Sequence, residues 1–212
     1  MNALVTGASS GLGKAIYEHL QQTCDPVIGA SRRGPDHEID LSHIEIAGIQ
    51  TSDWNTLRAK GPFDVMVINH GILLFDELKE AEKISATNFW SYWLMLSVGM
   101  VKANGCIILN ASVSGVIGDK DLPYYAALKA AVINLTQSYA KILMPQRIRV
   151  NCFSCGFFQT NLVEGETPDE LVAEIPMGRE AKVDEILPVI DMLIDCTYIT
   201  GQNIIVDGGL SL

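Results

Sequence analysis

The sequence predicts an α/β fold: a single-domain, doubly wound parallel sheet of Rossmann-like type with helices on both faces, spanning residues 1–212. Three observations predict it. Continuously apolar runs recur along the chain (residues 3–5, 26–30, 64–68, 106–110 and 204–206), as expected of strands buried on both faces. Segments of helical periodicity lie between them. The first run empties into a glycine-rich turn, Thr6-Gly7-Ala8-Ser9-Ser10-Gly11-Leu12-Gly13, after which Leu12, Ala15, Ile16 and Leu20 repeat at helical spacing. At 212 residues, 48% of them hydrophobic, the chain can bury a substantial core in one domain.

A strand feeding a helix through glycines gathers backbone N–H groups at the positive end of a helix, a site for a phosphate or pyrophosphate. Gly7 permits the tight turn, Gly11 lets the backbone approach the ligand, and Gly13 lets helix and strand pack closely. The second strand, residues 26–30, is followed by Ser31-Arg32-Arg33-Gly34. A dinucleotide-binding domain that prefers NAD places a carboxylate here, ~20 residues beyond the glycines, on the ribose 2′-hydroxyl. A hydroxyl and two guanidinium groups suit a 2′-phosphate instead, so the cofactor expected is NADP(H). Asp40 and Leu41 end a short extended segment and reach the adenine edge, although Asp40 could equally cap a helix.

The third apolar run ends at Asn69-His70-Gly71, at the carboxyl end of a strand, where open parallel sheets bind ligands. The other histidines (His19, His37, His43) have no ligand spacing with His70, so it reads as a core histidine and no metal is expected. Residues 85–102 read as one long helix crowded with Trp90, Tyr92, Trp93, Met95 and Met100, apolar enough to cover the sheet and to meet a second subunit. The strand at 106–110 leads to Ser112. Tyr125 and Lys129, four apart in a helix over Pro123–Leu143, share one helix face. A nearby cation stabilises a phenolate, so Lys129 can bring the Tyr125 phenol into working range, while Ser112 holds a carbonyl oxygen.

These pieces, with Asn88, residues 151–160 and Asp207-Gly208-Gly209, resemble the short-chain dehydrogenase/reductase family of the NADP-using type over essentially the whole chain. The resemblance implies reversible hydride transfer between a nicotinamide and a carbonyl or alcohol. It makes Tyr125 the acid/base and sets Ser112 to orient the substrate oxygen. Lys129 lowers the tyrosine pKa and holds the nicotinamide ribose, and Asn88 positions a relay water. Gly7, Ser9, Ser10, Gly11, Leu12, Gly13, Ser31, Arg32, Arg33, Asp40, Leu41, Asn69, Gly71, Tyr125, Lys129 and Thr160 fall to the cofactor. Two departures stand out: His70 puts a bulkier ring near the cofactor where the family has alanine, and Cys155-Gly156 replaces Pro-Gly.

Composition narrows the partners. A net charge of −10 without a basic run excludes nucleic acid and an anionic membrane surface. No apolar run reaches the ~18 residues of a membrane span, and no secretory signal fits before the first strand, so a cytoplasmic protein with five reduced, buried cysteines is expected. Cys152-Phe-Ser-Cys155 matches a redox pair but follows a strand, over residues 147–151, rather than opening a helix. The segment 161–178 mixes apolar and acidic residues, which suits a neutral, partly apolar carbonyl and disfavours an acyl chain on an acidic carrier protein. The expected activity is therefore NADP(H)-dependent carbonyl reduction or alcohol oxidation on a small molecule, in a homo-oligomer, dimer or tetramer. The alternatives are 3-oxoacyl-thioester reduction, a non-catalytic NADP(H) sensor and, remotely, a thiol–disulfide oxidoreductase.

Overall fold

A strand buried on both faces must pair its backbone with neighbouring strands, and the apolar runs do so in parallel. The computed structural model describes residues 1–33, 35–40, 52–160 and 167–212. In chain order the elements are β1 (Ala3–Thr6), α1 (Gly11–Leu20), β2 (Val27–Ser31), β3 (His37–Glu38), α2 (Ser52–Ala59), β4 (Phe63–Ile68) and α3 (Glu77–Ser85). A π-helical turn (Ala86–Trp90) leads into α4 (Ser91–Ser97), then β5 (Val101–Ser112), α5 (Ser114–Ile117), α6 (Pro123–Leu143) and β6 (Arg149–Cys155). After α7 (Asp169–Ala173), a short 3-10 turn (Val183–Ile186) precedes α8 (Leu187–Asp195), and β7 (Asn203–Val206) completes the sheet. Strand order is β3-β2-β1-β4-β5-β6-β7. The winding reverses between β1 and β4, so their carboxyl ends open the crevice in which such sheets bind ligands.

Period-two alternation sorts the core onto two faces. Leu4, Met66, Ile107 and Val150 join Tyr92, Met95 and Val132 from α4 and α6 on one side. Val5, Val67, Ile108 and Phe153 join Ile16, Leu20, Ile190 and Leu193 from α1 and α8 on the other. Arg149 is buried, with no carboxylate partner among the described residues. It donates through Nη1 to the carbonyls of Leu193 (2.6 Å), Cys196 (3.2 Å) and Ile199 (3.4 Å), and through Nη2 to Ile194 (2.6 Å).

The helix expected over residues 85–102 is corrected. It is interrupted by the π turn and ends at Ser97, because Gly99 takes a φ of 67° and reverses the chain. Lys102 consequently lies in β5, whose Val101 is already registered with Phe63. The segment 183–195 opens as a 3-10 turn and becomes α-helical at Leu187. Strand β6 begins at Arg149, two residues later than expected, and carries both Cys152 and Cys155.

Candidate active site

The glycine turn ends in a helix without a side-chain cap. Ser10 occupies the cap position of α1 with an extended backbone, makes no side-chain capping bond, and the first turn holds no acidic residue. The first N–H groups of α1 thus keep their positive field for an anion from outside. Gly7 and Gly11 adopt φ of 70° and 52°. A Cβ on Gly13 would lie 2.2 Å from Gly7 O and 2.5 Å from Asn69 Nδ2, so only glycine lets α1 close on β1 and β4. Across from Gly11, a Cβ would meet Thr160 at 3.4 Å, which puts Thr160 on the facing wall.

Beyond this turn, Ser31 ends β2 and its Oγ is buried without a hydrogen-bond partner among the described residues. Such orphans are uncommon in a finished fold and fit a ligand oxygen. Arg32 and Arg33 are both exposed. Arg33, but not Arg32, lines a hollow of about 210 Å³ together with Ser9, Lys14 and Glu18. Lys14 was missed by sequence reasoning; its position one turn into α1 under Arg33 becomes visible only in three dimensions. The carboxylate of Asp36 is committed elsewhere, accepting from Gly29 N at 2.7 Å and standing beside the Tyr17 phenol. Asp40 is exposed at the end of β3; Leu41 lies outside the described residues, as do residues 161–166 of the substrate segment.

Ser112, Tyr125 and Lys129 converge at the carboxyl end of β5. Tyr125 is 7% exposed, with the Ser112 hydroxyl beside its own. Lys129 is 3% exposed; its Nζ donates to Asn110 O at 2.9 Å and stands 5.7 Å from the Tyr125 ring centre and 5.5 Å from that of Tyr92. The expectation that Lys129 depresses the tyrosine pKa is not met in the protein alone. Burial pushes the phenol up to about 12, against the lowering by Ser112, and burial brings the Lys129 ammonium down to about 8. For both groups desolvation is the largest cause of the shift.

Asn88 sits in the π turn, a distortion that often marks functional sites. Its Nδ2 donates to Ile72 O at 2.7 Å and its Oδ1 accepts from Ile72 N at 2.9 Å. The amide thus grips the backbone next to Gly71 and retains one further N–H and one lone pair. A Cβ on Gly71 would lie 3.3 Å from Asn88 Oδ1 and 3.8 Å from Lys129 Nζ, so this glycine adjoins both. Asn69 ties β4 to β5 by accepting from Asn110 Nδ2 at 2.9 Å. Tyr92, which sequence reasoning placed only in an apolar face, donates to His70 O at 2.6 Å and to Asn110 O at 3.3 Å.

His70 turns into the protein rather than toward the cleft, correcting the expectation of a ring near the cofactor. Thr6 Oγ1 accepts from the backbone N–H groups of Asn69 (3.0 Å) and His70 (3.4 Å), so its own hydrogen goes to His70 Nδ1 at 2.7 Å. Ser91 Oγ donates to Thr87 O at 2.6 Å and therefore accepts from His70 Nε2 at 2.6 Å. The ring is neutral with its proton on Nε2, and burial, followed by the Lys129 charge, lowers its pKa to about 3.

The cysteine pair does not assemble. Three residues apart on a strand, Cys152 and Cys155 face opposite sides of the sheet, and burial raises their thiols to about 11 and 12. All five cysteines are free thiols; Cys155 and Cys196 are half-buried rather than buried. No metal-binding cluster is present among the described residues, and none of their helices is long and apolar enough to cross a membrane.

Comparison with known proteins agrees with this geometry. Residues 55–211 match the family described as "Enoyl-(Acyl carrier protein) reductase". The chain is 30% identical over 236 residues to the 3-oxoacyl-(acyl-carrier-protein) reductase FabG of Thermotoga maritima, covering 98% of this chain and 96% of that one. It superposes on the 3-ketoacyl-(acyl-carrier-protein) reductase of Brucella melitensis complexed with NADH, with a TM-score of 0.85, 26% identity and coverage of 100% and 98% of the two chains. A gluconate 5-dehydrogenase, described as putative, from Beutenbergia cavernae with bound NADP superposes with a TM-score of 0.83, 26% identity and coverage of 99% and 96%.

Proposed function

Because the chain belongs to the short-chain dehydrogenase/reductase family, we propose that it is an NADP(H)-dependent oxidoreductase acting on a neutral, partly apolar carbonyl or alcohol. The residues present fit the dinucleotide. The uncapped start of α1 takes the pyrophosphate, and the orphan Ser31 hydroxyl with Arg33 and Lys14 takes the 2′-phosphate. Thr160, which faces the glycine turn, would hold the nicotinamide. When bound, the nicotinamide supplies the hydride to the carbonyl carbon, or removes it from the alcohol.

The protein's own groups handle the proton. A phenol held neutral by burial is the form that donates to the carbonyl oxygen during reduction, while the Ser112 hydroxyl supports the charge developing there. Lys129, anchored on Asn110 O with its Nζ 5.7 Å from the Tyr125 ring centre, would replenish the tyrosine proton and hold the nicotinamide ribose. Asn88 fixes the backbone at Gly71 and Ile72, leaving its remaining amide hydrogen and lone pair for a relay water. Exposed Val116 and Ile117 on α5, just past Ser112, favour an apolar substrate group. The half-buried Trp90 and Trp93, 6.2 Å apart edge to face, support a homo-oligomer.

The observation that carries the reading is the convergence of Ser112, Tyr125 and Lys129 at the carboxyl end of β5. The test is Tyr125→Phe, which removes one hydroxyl. NADPH binding should persist, at higher affinity than NADH, and NADPH oxidation over a panel of ketones, quinones and acyl thioesters should vanish. Undiminished turnover in the variant would overturn the mechanism. Tighter NADH binding would overturn the cofactor assignment.

The similarity to 3-oxoacyl-(acyl-carrier-protein) reductases favours a second reading, reduction of a 3-oxoacyl thioester. Asp169, Glu170 and Glu174 are exposed on and beside α7, and with a net charge of −10 they would repel an acidic carrier protein. An acetoacetyl thioester on a small neutral carrier separates the two: robust reduction of it, with none of simple ketones, selects the thioester reading.

A further inference from the structure

The helix that carries Tyr125 begins without a cap of its own. Leu122 stands in the cap position with no side-chain bond, and Pro123 opens the first turn. The next two N–H groups, those of Tyr124 and Tyr125, donate instead to a carboxylate from α3. Glu77 Oε2 lies 2.9 Å from Tyr124 N, and Glu77 Oε1 lies 2.6 Å from Tyr125 N. A second tie joins the same two helices, Ser85 Oγ to the Tyr124 hydroxyl at 2.6 Å. Before the helix, Asp119 folds the connection by accepting from Asp121 N (3.0 Å), Leu122 N (3.1 Å) and Ser114 Oγ (3.1 Å).

We propose that Glu77 is a positioning residue: it caps the helix of Tyr125 from α3, fixes Tyr125 against Ser112, and with its charge adds a small opposition to ionisation of a phenol that burial already holds neutral. Uncapped N–H groups at a helix start carry about half a positive charge, which would favour a phenolate nearby. A carboxylate on those same N–H groups cancels that field and adds a negative charge that opposes ionisation. The other groups facing Tyr125 are the Ser112 hydroxyl from β5, Cys155 from β6, Tyr92 from α4, Asp119 from the loop after α5, and Lys129 from α6 itself. Lys129 is the one cation among these groups, Cys155 and Asp119 oppose ionisation, and Glu77, seated on the Tyr125 backbone N–H, would add to them. Ordinary N-caps sit next to the helix in sequence; this one arrives from 48 residues away, and so couples the placement of α3 to the reacting hydroxyl.

The inference rests on Tyr125 being the acid/base, but its test is read without turnover. In Glu77→Ala, hydrogen exchange at the Tyr124 and Tyr125 amides should accelerate about tenfold or more, with Val132 and Thr136 in the same helix unchanged. In Glu77→Gln, which keeps an acceptor but loses the charge, the exchange should be largely retained. There the Tyr125 phenol, followed by carbon-13 NMR with Tyr125→Phe for assignment, should begin to ionise about half a pH unit lower. Unchanged amide exchange in Glu77→Ala would remove the capping role. An unshifted phenol in Glu77→Gln would remove the electrostatic one. Retained turnover in Tyr125→Phe would instead undo the acid/base reading while leaving these two results standing.

Discussion

Mild acid should destabilise this protein through His70, and the amount follows from its surroundings. The ring is enclosed between Thr6 and Ser91, with Tyr92 at 4.8 Å between ring centres, and its pKa is lowered to about 3. In the unfolded chain the same group titrates near 6.5. Below that pH the unfolded state binds a proton that the native state refuses, so stability falls as pH drops from about 6.5 toward 3, by about 1.4 kcal/mol per unit. Between pH 7.5 and 5.0 this amounts to about 2 kcal/mol from His70 alone. The variant His70→Gln keeps an N–H for Ser91 and removes the titration. Urea midpoints at the two pH values should show the wild type losing about 2 kcal/mol more than the variant, the other histidines cancelling in the difference. At pH 7.5 the variant should be less stable by about 1–3 kcal/mol, for a buried hydrogen-bonded ring replaced by a smaller amide. Equal pH slopes in the two proteins would show that the native state accommodates imidazolium, and the tautomer argument would fail with it.

Two other outcomes are expected. Gly13→Ala puts a carbon 2.2 Å from Gly7 O and 2.5 Å from Asn69 Nδ2, so thermal melts should show a loss of several kcal/mol. NADPH binding should go with it, and a well-folded variant that binds normally would refute the close-packing argument. Reduction needs neutral Tyr125 and charged Lys129, whose pKa values are about 12 and about 8. NADPH-linked reduction should therefore fall about tenfold per unit above pH 8, and a rate flat to pH 10 would discount the ammonium.

The helix that carries Tyr125, Pro123–Leu143, was legible because a proline at its first position and a long apolar stripe leave few alternatives. The glycine turn was equally plain, since both positive-φ positions and the Gly13 contact demand glycine. The boundary at Ser97 was not. Aromatic and aliphatic residues continue to Val101, and hydropathy does not reveal that Gly99 turns the chain back to pair with β4. His70 was read as a core histidine, which its bonds support, while the direction of its ring depended on Ser91, 21 residues on. Lys14 and Glu77 escaped for a related reason: each meets its partners only after helices from separate parts of the chain have docked. The tyrosine's proton affinity was misjudged because the sequence shows its neighbours in charge but not the water they exclude.

Arg149 carries a consequence for the far end of the chain. Its guanidinium is neutralised by the carbonyls at the negative end of α8 and in the loop that follows. Shortening the protein past Leu193 would strand a bare, buried cation at the start of β6. The last twenty residues thus solvate the cation of β6 as much as they cover the strand, and they should melt together with the rest of the sheet.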